Sequence, residues 1–439
     1  MQLTHKIALI PTAAHVGYFQ RAAGANRFTW NWALAEWNRQ YAAGQKPSAM
    51  GLKKQFNAIK YGQFPWLEQV HRDSHARAFE HLGRAWAKFF ADIKAGKKAH
   101  APRFKRKGRC ADSFYVANDK FKVQGEAVRL PKIGLVSMTE ALRFEGKILG
   151  ATVLRTADRW FIAIQVDVAE AKAMRRRTAD GIEGVDLGVK AAATLSTGEA
   201  IESPKPLRAA LRRLQIRGRR LSRKLEAAKV QAGIGRGGRI PKDTKLPVSN
   251  NRKKSARALA RLHARIAHVR GDFTHKLTTR LCRENQAVVI EDLNVKGMLA
   301  NEKLARAISD VGFGMLRQQL EYKSKLFGTQ LIFADRWFAS SKLCSSCGTK
   351  HEQLALADRQ WTCAACGTVH DRDHNAAINL QRLATATALP EASSSATKNA
   401  ASARVAPAVG KVTPVRHEIG QQDGSGQEKN RAHLCAHSG

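Results

Sequence analysis

The sequence lacks the features that would place it in a membrane or in an export pathway. No stretch of its 439 residues is an uninterrupted apolar run of about 18, the length that a transmembrane helix needs. The opening residues, MQLTHKIALIPTAAH, also lack a secretory signal, because the apolar run IALI is short and is followed by proline. We therefore expect a cytoplasmic protein that makes no membrane contact.

Acidic residues are scarce relative to basic ones. The chain has 36 Asp and Glu against 75 Lys and Arg, which gives a formal net charge of +39. An excess of this size indicates a polyanionic partner, and nucleic acid is the leading candidate. An anionic membrane surface is the alternative, but no basic amphipathic helix with a clean apolar face supports it.

The positive charge is concentrated in two segments. Residues 205–270 hold 21 Lys and Arg but two acids, and such a segment would repel itself without a counter-anion. The second segment is a compact basic loop, APRFKRKGRC, at residues 101–110. We expect nucleic-acid contacts from both, and the candidate residues are Arg103, Lys105, Arg106, Lys107, Arg252, Lys253 and Lys254.

Cysteine is also sparse, with seven residues, of which three are scattered along the chain. The other four form two C-x-x-C pairs with fifteen residues between the pairs: Cys344 and Cys347, then Cys363 and Cys366. This spacing is typical of a tetrathiolate zinc ribbon. Four thiolates leave no open coordination position, so we expect a structural Zn²⁺ that takes no part in chemistry.

Hydrophobic periodicity divides the chain into three regions. Residues 5–10 predict a strand, and helices follow, the first from about residue 25 to 43. Short alternating segments then predict a small β-barrel or sheet. The third region predicts a hairpin around the turn STGE, a basic helical stretch, a buried strand at 287–293 and a helix at 304–327.

A few of the scarce acids lie where functional carboxylates are expected. Asp186 lies inside an apolar strand (GVDLG), where an acid is costly unless it serves a site. Glu291 ends another apolar strand (VVIED), and we favour it over Asp292 because alternation sends the two to opposite faces. A third acid begins a helix in DRDHNAAINL. Either Asp371 or Asp373 fits this place, since both could cap the helix.

Carboxylates from three separate elements could converge on one point. They are the hard oxygen ligands that Mg²⁺ prefers, and few are needed because water and phosphate complete the coordination. Two such ions about 4 Å apart would activate a water and stabilise the leaving oxygen in phosphodiester hydrolysis. The sequence therefore predicts a site for two Mg²⁺ ions.

Five segments occur along the chain in one order: GVDLG, NRKKSARALARLHARIAHVRGDF, VVIEDLNVKGM, RWFASSKLCSSCG and WTCAACGTVHDRDHNAAINL. In this order they resemble the TnpB family of transposon-encoded, RNA-guided nucleases, which are relatives of type V CRISPR effectors. The likeness also includes KIALIPT and GANRFTWNWAL and covers nearly everything except the tail. Matching the family's DxNAA pattern implies that the metal-binding acids are Asp186, Glu291 and Asp373, with Asp371 as a neighbour.

The resemblance implies a multidomain α+β fold with an RNase H-like (RuvC) α/β nuclease domain. The implied wedge domain is a β-barrel formed by a first strand at 1–12 and the segment 110–178, with a helical recognition lobe inserted at 13–109. The implied nuclease domain is 179–385, with a zinc-ribbon insert at 341–368. Residues 386–439 form a low-complexity tail that we expect to stay unfolded.

By the same resemblance, the protein would bind a guide RNA from the transposon end, recognise a short motif beside its target and cut both DNA strands. It would act in a bacterial or archaeal cell, with the element's transposase as a genetic partner. The alternative is a nuclease-silent, RNA-guided DNA-binding protein or repressor, against which the complete acid triad argues. A single-strand transposase of the HUH type is disfavoured, because no two of the fifteen histidines stand two residues apart.

Overall fold

The chain begins with a strand, a group of helices and six short strands. The computed structural model describes residues 1–241, 244–355 and 358–386, so the tail predicted to be unfolded lies outside the described residues beyond its first position. The first elements are β1 (Gln2–Ile10), α1 (Ala13–Ala42), α2 (Ala49–Gln63), α3 (Asp73–Lys94), β2 (Ser113–Ala117), β3 (Lys122–Gln124), β4 (Ala127–Leu130), β5 (Gly134–Met138), β6 (Lys147–Thr156), β7 (Arg159–Asp167) and α4 (Glu170–Ala173).

These seven strands form one antiparallel sheet in the order β2-β6-β7-β1-β5-β4-β3. Strand β1 lies at the centre, and its residue His5 pairs with Ile164 of β7. Alternate residues, including Ile7 and Ile162, are fully buried in a core shared with Phe19 of α1. The alternating segments therefore do form a sheet, and its closure into a barrel stays a prediction.

Helix α1 begins at Ala13, well before the start predicted near residue 25. The reason is a capping box at Thr12. Its hydroxyl accepts the backbone N–H of His15, and the His15 ring accepts the backbone N–H of Thr12, both at 3.3 Å. A histidine takes the place that Glu or Gln usually occupies in this motif, so the signal for the helix start was missed.

The rest of the chain forms a second sheet with its own helices. Its elements are β8 (Gly181–Asp186), β9 (Ala193–Leu195), β10 (Ala200–Ile201), α5 (Pro206–Gln231), α6 (Asn250–Glu284), β11 (Asn285–Glu291), α7 (Val295–Ala300), α8 (Ala305–Val311), α9 (Phe313–Phe327), β12 (Gln330–Ala334), β13 (Gln360–Thr362), β14 (Val369–Asp371) and α10 (Arg372–Ala386). The predicted hairpin around STGE is confirmed as β9 and β10.

The second sheet has five strands in the order β10-β9-β8-β11-β12. Strand β9 is antiparallel to β8, whereas β8, β11 and β12 run parallel to one another. Val185 of β8 and Val288 and Val289 of β11 are fully buried, as expected of strands covered on both faces. The carboxyl ends of the three parallel strands meet at one edge.

Helix α10 packs directly on strand β8. A Cβ atom at Gly184 would lie 2.0 Å from the backbone oxygen of Ala377, so only glycine allows this approach. One turn further along the helix, Gln381 Nε2 donates to the backbone oxygen of Ile182 at 2.7 Å. The helix is therefore antiparallel to the strand and held at a defined register.

The single helix predicted at 304–327 is broken into α8 and α9. The break lies at Gly312, which has a φ of 82°. A Cβ there would also lie 2.9 Å from the side chain of Arg270, whose Nε donates to the backbone oxygen of Asp310 at 3.0 Å. The hydrophobic period continues across the break, so the pattern alone could not reveal it.

The two long basic helices, α5 and α6, pack against each other around Ala210, Leu262 and Ile266. Arg217 Nη1 of α5 also donates to the backbone oxygen of Ala258 in α6 at 2.6 Å. Within the part of the chain that the structure describes, neither these helices nor the others are long and apolar enough to cross a bilayer.

Candidate active site and metal centre

Two carboxylates lie side by side at the carboxyl edge of the five-stranded sheet. Asp186 is the last residue of β8 and Glu291 is the last residue of β11. The two strands are parallel, and Val185 pairs with Ile290, which makes the following two residues neighbours across the ladder. Paired residues of adjacent strands project to the same face of a sheet. Both acidic residues are half-buried.

The third predicted acid, Asp373, reaches this edge from helix α10. Starting from the contact between Gly184 and Ala377, two residues of strand lead to Asp186 and rise about 6.6 Å. Four residues of helix lead in the same direction to Asp373 and rise about 6 Å. The packing register therefore carries the two aspartates to the same level, on facing surfaces of the strand and the helix.

The structure separates the two acids between which sequence reasoning could not choose. Asp371 Oδ1 accepts the backbone N–H of His374 at 3.0 Å, which is the contact of a helix cap. Asp373 instead faces Arg359, whose Nη1 lies 3.4 Å from its Oδ1, and its charge acts on Asp186.

Glu291 and Asp292 also turn to different surroundings, as strand alternation predicts. Asp292 forms ion pairs with Arg317 and with Arg336, the latter at 2.8 Å. Glu291 accepts a hydrogen bond from the hydroxyl of Ser340 at 2.8 Å. The charge of Asp292 is therefore neutralised by arginine, whereas that of Glu291 is directed at Asp186.

Burial, together with the nearby charges of Glu291 and Asp373, raises the pKa of Asp186 to about 8, against smaller opposing effects of Arg372 and Arg359. Three carboxylates repel one another in this half-buried site, and Arg359 beside Asp373 offsets only part of their charge. This is the donor set that Mg²⁺ prefers. Of the described residues, the four cysteines alone bring three or more potential ligand atoms within 4.8 Å of one another, so the carboxylate oxygens are spread more widely.

Sequence reasoning missed two residues at the site, Ser340 and Arg359. Both come from the segment between β12 and α10, and each touches one acid: Ser340 touches Glu291, and Arg359 touches Asp373. Neither stands near its acid in the sequence, and neither belongs to a periodic element. Only the return of the chain to the sheet edge brings them there, so no local signal could have found them.

The four cysteines converge as predicted. Their sulfur atoms all lie within 4.8 Å of one another, and two of the separations, Cys344 to Cys366 and Cys347 to Cys363, are 3.6 Å. Four Zn–S bonds of 2.3 Å in a tetrahedron place the sulfurs about 3.8 Å apart. The cluster therefore fits a structural metal ion of this kind.

The two cysteine pairs form matching knuckles. In each, the glycine after the second cysteine, Gly348 or Gly367, has a positive φ and donates its N–H to the oxygen of the first cysteine at 2.8 Å. A threonine hydroxyl contacts the second sulfur at 3.3 Å in both. In the first knuckle, the side-chain hydrogen bond between Cys347 and Thr349 is the main cause that lowers the pKa of Cys347 to about 6, which favours the metal-binding thiolate.

His370 supports the cluster from outside it. Its Nε2 lies 3.0 Å from Cys344 Sγ, and its ring packs 4.8 Å from that of Trp361. With its hydrogen on Nε2, the imidazole donates to the thiolate, which is an outer-shell role that orients a ligand.

Helix α10 joins the cysteine centre to the acidic site. Asn375 accepts the N–H of Ser345 at 2.8 Å and donates to the oxygen of Leu343 at 2.7 Å. One turn later, Asn379 donates to the oxygen of Ser340 at 2.8 Å. Because Ser340 contacts Glu291, the first knuckle, helix α10 and the end of β11 form one connected polar network.

The predicted nucleic-acid residues lie on two separate elements. In the basic loop, Arg103, Arg106 and Lys107 are exposed. Lys105 is half-buried, its Nζ lies 3.9 Å from the centre of the Trp30 ring, and burial lowers its pKa. This lysine is therefore partly used in holding the loop to α1.

The other group is at the start of α6. Lys253 and Lys254 are exposed there, whereas Arg252 turns back to donate to the oxygen of Pro247 at 2.8 Å. Contact of either group with nucleic acid stays a prediction.

The described fold and site define an α/β protein with an acidic centre and a four-cysteine centre joined by one helix. Three family models match it: “Helix-turn-helix domain” at residues 1–46, “Probable transposase” at 163–302 and “Cas12f1-like, TNB domain” at 313–380. In this structure, the first of these segments is strand β1 followed by the uninterrupted helix α1.

Relatives match over most of their length. A protein of Streptomyces pristinaespiralis named “Putative RNA-guided DNA endonuclease” is 37% identical over 383 residues, or 85% of this chain and 87% of its own. “Putative RNA-guided DNA endonuclease InsQ” of Escherichia coli is 29% identical over 395 residues, or 85% of this chain and 90% of its own. The protein in “Cryo-EM structure of the Cas12f1-sgRNA-target DNA complex” is 13% identical with a TM-score of 0.31, covering 87% of this chain and 99% of that one.

The chain belongs to the TnpB family.

Metal analysis of the purified protein should find one zinc ion per chain. Cys363→Ser should lose that zinc and melt at a lower temperature, because three thiolates and a hydroxyl bind zinc far more weakly than four thiolates do. Cys110→Ser, which alters a cysteine outside the cluster, should keep it. Full zinc content in Cys363→Ser, or none in the wild type, would contradict the assignment.

The acidic site should destabilise the protein when Mg²⁺ is absent. The pKa of Asp186 is raised in the folded state, from about 3.8 to about 8, so its ionisation lowers the free energy of unfolding as the pH rises through that range. Asp186→Asn should therefore be more stable than the wild type at pH 8, by a few kcal/mol at most. The difference should shrink toward pH 4.

Thermal melting in Mg²⁺-free buffer across this pH range measures the effect. Asp180→Asn changes an exposed carboxylate just before the same strand and should show no comparable gain. Equal stability of Asp186→Asn and the wild type at pH 8 would mean that neither burial nor the neighbouring acids disfavour the ionised form of Asp186.

Proposed function

We propose that this chain is an RNA-guided DNA endonuclease of a transposable element, which cuts DNA by phosphodiester hydrolysis at one site. The observation that carries the proposal is the meeting of Asp186, Glu291 and Asp373 at one sheet edge, where Glu291 and Asp373 raise the pKa of Asp186 and nearby arginines offset only part of that effect. The relatives that match most of this chain are named as RNA-guided DNA endonucleases.

The three acids would hold two Mg²⁺ ions, which supply a nucleophile and stabilise the leaving oxygen. Asp186 lies next to Glu291 in the sheet and level with Asp373 on the helix. It is therefore suited to contact both ions. Two ions about 4 Å apart need a wider ligand set than one ion does, which agrees with the spread of the carboxylate oxygens.

Other residues of this chain would prepare the site. Ser340 holds one oxygen of Glu291 at 2.8 Å and so limits its rotation. Arg359 lies 3.4 Å from Asp373 and would balance part of its charge until a cation binds. Zinc on the four cysteines would keep the first knuckle rigid, and Asn375 and Asn379 would transmit that rigidity to helix α10.

The basic surfaces support nucleic acid as the partner. A groove of about 950 Å³ along α5 is lined by Arg219, Arg220, Arg223 and Arg236. At the start of α6, Lys253 and Lys254 occupy the helix end where cations are unfavourable. A bound phosphate backbone would offset the mutual repulsion of these arginines and the unfavourable position of the two lysines. Guide pairing would then supply sequence choice, while these residues hold the backbones.

The finer domain assignments belong to the same proposal. The mixed five-stranded sheet with α10 on its face would be the RNase H-like (RuvC) nuclease domain, at 179–385. The seven-stranded sheet would be the wedge, and helices α1 to α3 the recognition lobe. The ion pair of Asp158 with Arg261 links the wedge sheet to helix α6, so the two regions would share one nucleic-acid channel.

The alternative function is a nuclease-silent, RNA-guided DNA-binding protein. It would need the basic surfaces but would have no use for three mutually repelling carboxylates. Such a cluster costs stability, as the raised pKa of Asp186 indicates. A protein that only binds DNA gains nothing from this cost, so the endonuclease is the better-supported reading.

Two neighbouring acids provide a matched test. The protein should be loaded with the RNA that copurifies with it and given Mg²⁺ and duplex DNA that matches the RNA guide and carries a library of flanking motifs. Asp373→Asn should lose DNA cleavage by at least about a thousandfold, because it removes a metal ligand, and should keep guided binding. Asp371→Asn should cut like the wild type, since Asn caps a helix as well as Asp does.

Gel analysis of the cut DNA and filter binding of the uncut DNA give the two readouts. Guided binding without cleavage by the wild type would favour the nuclease-silent alternative. Absence of a discrete copurifying RNA would remove the RNA-guided part of the proposal. Loss of cleavage in Asp371→Asn together with full activity of Asp373→Asn would exchange the roles of the two acids.

A further inference from the structure

Trp337 is the most exposed large apolar side chain in the described residues, with 86% of its surface accessible. The aromatic side chain with the next largest exposed fraction is Tyr41, at 64%. Some less exposed aromatics have a ring partner: Phe90, for example, stacks on Trp86 at 5.8 Å. Trp337 makes no ring-stacking or cation–π contact with the described part of the chain. Tryptophan is enriched at binding interfaces because one ring supplies a large contact area, so Trp337 is a candidate contact for a partner.

The loop that carries Trp337 is anchored on both sides. The backbone N–H of Trp337 donates to Asp335 Oδ1 at 2.8 Å, and that of Phe338 donates to the Asp335 oxygen at 3.0 Å. Arg336 is ion-paired with Asp292 at 2.8 Å, and Phe338 packs into the core under α10. The residues on both sides of Trp337 are therefore fixed by contacts with the protein, whereas its indole is exposed to solvent.

The loop belongs to the acidic site. It follows β12, whose residue Ala334 pairs with Glu291. Three residues after Trp337, Ser340 contacts Glu291 directly at 2.8 Å. Three residues of chain span at most about 10 Å, so the backbone of Trp337 lies within that distance of Ser340, beside the acidic site.

A nucleobase is the occupant that these observations favour. Aromatic side chains beside basic residues are the usual platform for single-stranded nucleic acid, because every base has a stacking face. Two basic residues occur in this part of the chain: Lys342 follows Trp337 by five residues, and Arg359 lies at Asp373. At about 3.4 Å per stacked nucleotide, the span of about 10 Å from Trp337 to Ser340 is comparable to about three nucleotides of DNA strand.

We propose that Trp337 is a stacking platform that holds one base of the DNA strand being cut, within about three nucleotides of the scissile phosphate. This inference rests on the proposed endonuclease function. Guide pairing opens the target duplex, so the strand arriving at the acids is single and its bases are free to stack. Trp337 is a positioning residue here: it fixes the strand and leaves the chemistry to the acids.

Single-turnover cleavage by the RNA-loaded protein tests the proposal. Trp337→Ala should slow cutting roughly ten- to hundredfold, which is the range expected for loss of one base stack, while guided binding of duplex DNA is unchanged. Trp337→Phe should restore most of the rate. Tyr41→Ala, which removes an exposed aromatic from the end of α1, should cut like the wild type.

An abasic scan identifies the stacked base. In the wild type, one abasic position near the cut should reproduce the loss seen in Trp337→Ala. In Trp337→Ala, the same abasic position should cause no further loss, because the stack is already absent. A rate for Trp337→Ala equal to that of the wild type overturns the proposal. So does a loss that no abasic position reproduces, since the indole would then be packing on protein.

A binding measurement separates this proposal from the endonuclease itself. Fluorescence anisotropy gives the affinity of the protein for a short single-stranded DNA without any cutting. Trp337→Ala should weaken that affinity about tenfold, and Trp337→Phe should restore most of it. Unchanged affinity together with normal wild-type cleavage would overturn the stacking role alone. Weakened affinity together with absent wild-type cleavage would leave the platform standing and overturn the endonuclease.

Discussion

The arrangement of the acidic site depends on one close contact, between Gly184 of strand β8 and the backbone of Ala377 in helix α10. No side chain fits between them, since a Cβ at Gly184 would lie 2.0 Å from the Ala377 oxygen. Ala376 and Ala377 are fully buried at this crossing. Small residues on both sides let the helix lie directly on the strand. The spacing of two strand residues against four helix residues then brings Asp186 and Asp373 together.

The cysteine centre extends this constraint. The first turn of helix α10, which carries Asp373, is prone to fraying because its first N–H groups have no partner within the helix. Here Asp371 caps one of those groups, and Asn375 and Asn379 tie the next two turns to the first cysteine knuckle. The metal centre and the acidic site are therefore chemically separate but mechanically joined.

Much of this site could be predicted from the sequence. Asp186 and Glu291 each follow an apolar run, and an acid at the end of a buried strand is a recognisable exception to the hydrophobic pattern. The cysteine spacing predicted the four-cysteine cluster because two short knuckles leave little freedom for other arrangements. Both predictions, of the acids and of the cysteine cluster, rest on short segments of sequence and need no knowledge of the fold.

The remaining features depend on contacts between distant segments. Asp371 and Asp373 are equivalent in any local view of a helix start, and only the packing on β8 distinguishes a cap from a site residue. The start of α1 was missed because His15 closes the capping box, and the break at Gly312 was missed because the apolar period continues through it. The positions of Ser340 and Trp337 relative to the acidic site could not be predicted, because they depend on the return of their loop to Glu291.

The central claim is that three carboxylates form one binding site for two divalent cations. Titration of the RNA-loaded protein with Mn²⁺, monitored by electron paramagnetic resonance, tests it most directly. We expect two tightly bound ions per wild-type chain, with the spectral broadening of neighbouring spins, and no such pair in Asp186→Asn. Equal Mn²⁺ binding by both proteins, or no tight binding by the wild type, would contradict it.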